Sequence, residues 1–270
     1  MLKTYNLNRL IFVLVYFAFL LIFLYATVIN LPAQQQSMIS RTGSGTLTPV
    51  SDPYIRNNFP YRAVAKIFVT FPNCADAAEG TGVFVSADGV FTAAHNVYKP
   101  ECGGYATRVD IIPGYSRGNE PFGRTSAKKI KIPNEYTSIA DPRNDLHAAN
   151  YDFAAIVTTS AIGHKSGWLG YNIPSGNNLG QIMILGYPEK YEGEIMAQSV
   201  SDAELAYSNG LGYFADTLKG MSGGPIIKIM ADESFRVIGI HVRGRQGLPF
   251  NFGSRFSDDF LRGLPGCSCN

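Results

Sequence analysis

Gly220-Met221-Ser222-Gly223-Gly224-Pro225 is the stretch on which the reading of the fold turns. A serine set among glycines suits chemistry carried by the backbone. Glycine reaches conformations closed to residues with a Cβ and keeps bulk away from an approaching carbonyl group. If the Ser222 hydroxyl attacks such a carbonyl, the N–H groups of Gly220 and Ser222 can point together at the oxygen on which negative charge develops, as acyl transfer requires. A glycine-rich hairpin turn with an incidental serine gives the same six letters, so the remainder of the chain has to decide.

Two further stretches shift the balance. Thr92-Ala93-Ala94-His95 closes an alternating apolar run through Val83-Phe84-Val85 and Val90-Phe91, which places His95 at the end of a strand. Tyr151-Asp152-Phe153-Ala154-Ala155-Ile156 sets an acid at the mouth of another. A hydroxyl needs a base to take its proton, and the base needs a carboxylate to fix its tautomer and stabilise the imidazolium. The order His95, Asp152, Ser222 is that of chymotrypsin-type enzymes, whereas subtilisins and α/β-hydrolases use other orders. Through TAAH, the YDFAAI acid and GMSGGP the sequence resembles the trypsin/chymotrypsin-like serine peptidase superfamily, over roughly residues 60–262. Asp145 is the rival acid, but Leu146-His147-Ala148 continues poorly as a buried strand.

The resemblance implies an all-β, chymotrypsin-like double β-barrel, and the chain pattern agrees with it. Short apolar or alternating runs separated by turn residues mark strands: Val64–Val69, Gly82–Val85, Val109–Ile112, Ile130–Ile132, Phe153–Val157, Gln181–Leu185, Pro225–Ile229 and Phe235–His241. The expected peptidase domain covers residues 60–265, with a first barrel over about 60–160 and a second over about 161–265. Asp258 to Gly263 reads as a short C-terminal helix that stops at glycine.

Ahead of the domain, residues 1–33 hold an uncharged apolar run from Leu10 to Ile29, preceded by Lys3 and Arg9. A run of this length can cross a bilayer as a helix, and basic residues before it favour keeping that end in the cytosol. A membrane anchor with the catalytic domain outside the cytoplasm is the preferred reading. Signal-peptide cleavage near Leu31-Pro32-Ala33, giving a secreted protein, is the rival. Residues 34–59, rich in Gln, Ser, Thr, Gly and Pro, read as a linker or propeptide. Four cysteines fit an oxidising compartment. Cys74 and Cys102 bracket His95, and the resemblance implies a disulfide near that histidine; Cys267 and Cys269 could pair elsewhere, between chains, or stay free.

The second half resembles the staphylococcal-type glutamyl endopeptidase branch through LGYP at 185–188, YFADTLKGMS at 213–222 and VIGIH at 237–241. In that branch Thr217 and His241 would line the primary specificity pocket, and a hydroxyl and an imidazole can both donate to a substrate carboxylate. Arg243 and Arg245 would add positive potential. Protonated His241 would help most, so cleavage after Glu is expected to weaken as pH rises past its pKa. Asp216 carries the competing signal: it lies six residues before Ser222, the spacing at which trypsin-like pockets hold the aspartate that selects Lys or Arg. Met221 stands where trypsin-like zymogens carry the aspartate that pairs with a freshly cut N-terminus, so that switch is not expected.

A formal charge of +2 gives no argument for a nucleic-acid partner. The aromatic residues fall at strand alternation, which suits a core better than a base-stacking platform. Neither cysteines nor histidines show paired ligand spacing, so no metal and no cofactor is expected. The expected partner is a protein or peptide substrate. Two classes stay open: an exported serine endopeptidase, and a catalytically silent binding module on the same fold.

Overall fold

The computed structural model describes residues 45–258, apart from 177, 208–209, 231, 233 and 245–248. Six strands build the first half: β1 (Val64–Phe71), β2 (Cys74–Phe84), β3 (Gly89–Thr92), β4 (Arg108–Pro113), β5 (Thr125–Lys131) and β6 (Ala154–Thr158). They close into a barrel in the order β1-β2-β3-β6-β5-β4. Strand β1 shows why it closes. Ala65, Ile67 and Val69 point into an apolar core with Phe84, Val90, Ile111 and Ile156. Burying each large aliphatic side chain of this kind is worth about 1.5–3 kcal/mol.

Six more strands follow: β7 (Asn178–Gly186), β8 (Ala197–Tyr207), β9 (Gly210–Tyr213), β10 (Pro225–Ile229), β11 (Phe235–Arg243) and β12 (Asn251–Arg255). Their pairings run β7-β8-β9-β12-β11-β10 and return to β7. The connectivity of the first barrel is thus repeated in the second, although no internal repeat is visible in the sequence. Leu179, Ile182, Ile184, Leu211, Ile226 and Ile238 fill this second core together with Met221. Met221 is fully buried there, which suits an apolar side chain in place of an ion-pairing aspartate.

The barrels are joined by polar contacts as well as apolar ones. Lys66, on the face of β1 opposite Ala65 and Ile67, is buried and donates to the Gly193 carbonyl at 2.8 Å while pairing with Glu79. Tyr115 donates to the Glu194 carboxylate at 2.8 Å. Both bonds fix the β7–β8 connection of the second barrel to the first.

Residues 45–59 differ from the linker expected for 34–59. Thr48–Pro49 adds a short strand to the edge of β8, Asp52–Asn57 is helical, and Ile55 is fully buried. The reason is a matched polar set: the Gly45 carbonyl accepts from Ser199 Oγ at 2.6 Å and from the Asp216 amide at 2.9 Å. Among the described residues no helix is long and apolar enough to cross a membrane. The Leu10–Ile29 run, Cys267, Cys269 and all but the first residue of the expected C-terminal helix lie outside them.

Candidate active site

Sheet register brings the imidazole and the carboxylate together. Thr92, the last residue of β3, pairs with Ala154, the first of β6. His95 lies in the single helical turn Ala94–Val97 just after β3, and Asp152 lies two residues before the start of β6. The His95 amide donates to Asp152 Oδ1 at 2.9 Å, and His95 Nδ1 lies 2.7 Å from Oδ2. Backbone and ring of one residue are therefore held by the two oxygens of one buried carboxylate, which leaves the ring no freedom to turn. Asp145, the rival acid, is used elsewhere: its Oδ1 accepts the amides of His147 and Ala148 and caps the turn that leads to Tyr151.

Ser222 comes from the second barrel, in the loop before β10, and lines the same cleft as His95 and Asp152. The amides around it divide into two sets. Those of Met221, Gly223 and Gly224 donate to the carbonyls of Leu218, His241 and Met221. Those of Gly220 and Ser222 have no acceptor among the described residues, and both residues face the cleft. Gly220 has φ +94°, and a Cβ there would come within 2.2 Å of the Tyr187 carbonyl oxygen. Only glycine fits that position.

Thr217, Leu218, His241, Val242 and Arg243 form one wall of the cleft, and the segment Ala140–Asn144 forms the other. His241 is 2 % exposed, with Nδ1 2.6 Å from the Tyr213 hydroxyl. Burial, aided by the nearby His95, pushes its pKa down to about 3. The ring is therefore neutral without a ligand, in contrast to the protonated pocket histidine expected from sequence. Burial likewise holds the Tyr213 phenol well above its usual range, so it remains a hydrogen-bond donor. Thr217 Oγ1 is buried in this wall and has no hydrogen-bond partner.

Asp216 is exposed and is not among the residues lining the cleft. Its amide is tied to Gly45, which turns Asp216 away where its neighbour Thr217 turns in. Arg243 does reach the cleft, but its guanidinium is committed to the carbonyls of Arg143 and Asp145 at 2.6 and 3.3 Å. It braces the opposite wall. Arg245 lies outside the described residues.

Cys74 and Cys102 form a disulfide with Cα atoms 5.2 Å apart, joining the start of β2 to the segment just after the His95 turn. Sequence reading missed three residues: Asn96, Thr81 and Tyr213. Asn96 and Thr81 both bond the Ser222 carbonyl. The available signal was polarity out of place. Thr81 stands between Gly80 and Gly82, and Asn96 follows His95 in an apolar stretch; a Cβ at Gly80 would meet Asn96 Nδ2 at 2.6 Å.

Two six-stranded barrels of like connectivity, meeting at a carboxylate-held imidazole and a glycine-framed serine, define the trypsin-like class of protein. Residues 80–240 match the trypsin-like peptidase domain family, and the chain belongs to it. It is 27% identical over 209 residues to an extracellular metalloprotease of Bacillus subtilis, covering 77% of this chain and 64% of that one. It is 25% identical over 212 residues to a glutamyl endopeptidase of Bacillus licheniformis, covering 76% and 63%. The matches thus span less than two thirds of the length of either relative. Among solved structures it is similar to a Glu endopeptidase, with TM-score 0.67 and 22% identity over 82% of this chain and 95% of that one. The protease Anisep of Arthrobacter nicotinovorans gives TM-score 0.61 and 21% identity over 74% and 93%. These likenesses establish the fold. Among the described residues no three His, Cys, Asp or Glu side chains are grouped so as to hold a metal ion.

Proposed function

We propose that the protein is a serine endopeptidase, with Ser222 as nucleophile, His95 as general base and then acid, Asp152 as the group that orients His95, and the amides of Gly220 and Ser222 as the oxyanion hole. The observation that carries this reading is the pair of amides without acceptors beside a carboxylate-fixed imidazole. N–H groups left without a protein acceptor in a cleft are available to a ligand there. A tetrahedral intermediate formed by Ser222 on a peptide carbonyl would place its oxyanion there, and the leaving amine would take the proton that His95 had removed.

The reading extends to acidic specificity before the scissile bond. Thr217 Oγ1 lacks a partner in the apo cleft, and His241 lines the same wall. If Tyr213 donates to Nδ1 in place of the Phe252 carbonyl 3.3 Å away, His241 carries its proton on Nε2 and offers it, with the Thr217 hydroxyl, to a Glu carboxylate. The exposure of Asp216 removes the acceptor that a Lys or Arg side chain would need. One relative's name as a glutamyl endopeptidase agrees with this preference. Labelling with a fluorophosphonate probe, followed by cleavage of a peptide library, tests both parts. An unlabelled protein would overturn the chemistry, and dominant cleavage after Lys or Arg would overturn the pocket.

Export and anchoring through Leu10–Ile29 are proposed on sequence alone. The full chain is expected to stay with membranes during carbonate extraction. A soluble form beginning near Gln34 would establish cleavage instead.

A further inference from the structure

Each carbonyl around Ser222 is held by a donor. Lys219 O accepts from the Glu189 amide at 2.8 Å, and Met221 O from the Gly224 amide at 2.9 Å. Gly220 O accepts from Thr81 Oγ1 at 2.9 Å. Ser222 O accepts from the Thr81 amide at 2.9 Å and from Asn96 Nδ2 at 2.8 Å. A peptide group is planar, so fixing the direction of its carbonyl fixes its amide in the opposite direction. The amides aimed at the cleft belong to the Lys219–Gly220 and Met221–Ser222 peptides. Thr81 grips the peptide between those two with its side chain and the peptide after them with its backbone.

Thr81 belongs to the other barrel, in β2, and is fully buried. Every polar atom it has is engaged. Its hydroxyl also accepts the Tyr187 amide at 3.1 Å, and its carbonyl accepts from Thr92 Oγ1 at 2.7 Å. The strut meets the loop at Gly220, where φ is +94° and no side chain limits rotation. The Glu189 and Gly224 amides hold the carbonyls of the two flanking peptides, and Thr81 Oγ1 holds the carbonyl between them from the first barrel.

We propose that Thr81 is a positioning residue for the hydrolysis: its hydroxyl, reaching across from the first barrel, fixes the Gly220–Met221 peptide, which acts with the Glu189 and Gly224 amides to keep the Gly220 and Ser222 amides in direction and makes oxyanion stabilisation depend on the docking of the two barrels. The proposal rests on the peptidase reading. Thr81 touches neither substrate nor reacting atoms, so its loss is felt at the transition state and spares ground-state binding.

The test uses the full chain and the best peptide p-nitroanilide found by profiling. Deleting one oxyanion donor outright costs about 10²–10³ in kcat, and misaiming both through Thr81→Val is expected to cost about 10–100-fold with KM changed less than about threefold. Thr81→Ser keeps the hydroxyl and is expected to restore kcat to within about threefold of wild type. The matching peptide aldehyde, whose adduct places an oxygen in the hole, should lose affinity in proportion to kcat. Binding of the uncleaved peptide to Ser222→Ala should be unchanged when Thr81→Val is added, an outcome that general loosening of the fold would not give. Should Thr81→Val not fold, Thr81→Ala also removes the hydroxyl, and the same fall in kcat at constant KM is expected. A folded Thr81→Val with wild-type kcat, a serine variant as impaired as the valine one, or a rise in KM at constant kcat overturns the proposal. A wild-type protein that neither cleaves peptides nor reacts with a fluorophosphonate overturns the peptidase reading instead, before Thr81 is touched.

Discussion

Between pH 7 and pH 4.5 acid should destabilise this protein chiefly through His241. His241 is buried neutral, with a folded-state pKa of about 3 against an ordinary value of 6.5. As pH falls below the ordinary value the unfolded chain takes up a proton that the folded chain refuses, so the equilibrium moves toward unfolding. The contribution of the neutral buried ring is complete above 6.5 and is lost progressively as pH falls toward the folded value. One unit between the two values is worth about 1.4 kcal/mol, so going from pH 7 to pH 4.5 removes about 3 kcal/mol. That is a large share of a typical domain's stability of about 5–15 kcal/mol. Urea unfolding of wild type and His241→Gln at both pH values isolates the effect, since every other carboxylate and histidine titrates in both proteins. Stability of the wild type is expected to fall by about 3 kcal/mol more than that of the variant. Parallel losses in the two proteins, or an NMR titration of His241 near its ordinary value, would refute the reasoning. The same depression bears on catalysis. The profile of kcat/KM against pH reports groups of the free enzyme, so no limb belonging to His241 should appear near neutrality.

Three other outcomes follow from the site. Ser222→Ala and His95→Ala should each lower kcat by about 10⁶, because the groups act as a unit, and Asp152→Asn by about 10⁴ with the fold intact; full activity in purified Ser222→Ala would remove the assignment. His241→Ala should raise the barrier for Glu substrates by about 1.5–3 kcal/mol, the worth of a neutral donor to a charged group, whereas Asp216→Asn should leave the residue preference unchanged in library profiling, and Thr217→Val should impair Glu cleavage without lowering the melting temperature. Replacing both Cys74 and Cys102 by serine should cost about 3–4 kcal/mol in a urea titration, the loop-closure value for a sequence separation of 28.

The part of the fold that could be read in the sequence is the part in which inward positions are apolar. Val64–Val69 and Pro225–Ile229 announce themselves as strands because the faces they bury are Val, Ile and Phe. Strands β8, β9 and β12 went unread, and β8 and β12 bury serine and asparagine where a hydropathy pattern registers apolar residues. Ser199 and Ser201 face inward from β8, bonded to the Gly45 carbonyl and the Ala215 amide. On β12, Ser254 reaches the Ala149 carbonyl at 2.7 Å and Asn251 the Ala215 carbonyl at 2.5 Å. A hydropathy period cannot register a buried hydroxyl whose partner lies far off in the chain. Residues 45–57 escaped because their buried Leu47, Val50 and Ile55 are too widely spaced to show a period, and the Gly45 carbonyl adds bonds that no pattern registers.

A similar division runs through the site. That His95, Asp152 and Ser222 line one cleft was legible because the proposed acyl transfer restricts residue type, order and flanking glycines at once. The specificity pocket was not, because Asp216 and Thr217 are chain neighbours and sequence gives no means of telling which one turns inward. The structure separates them through a contact outside every motif, the Asp216 amide on Gly45. What remained hidden is the support for the reactive groups. Thr81, Asn96 and Tyr213 act by aiming a carbonyl or a ring nitrogen at 2.6–2.9 Å, and their partners lie 28 to 141 residues away. Reaction chemistry dictates which groups must meet. The geometry that holds them is set by the docking of the two barrels, and a polar residue lodged among glycines is the only trace it leaves in the sequence.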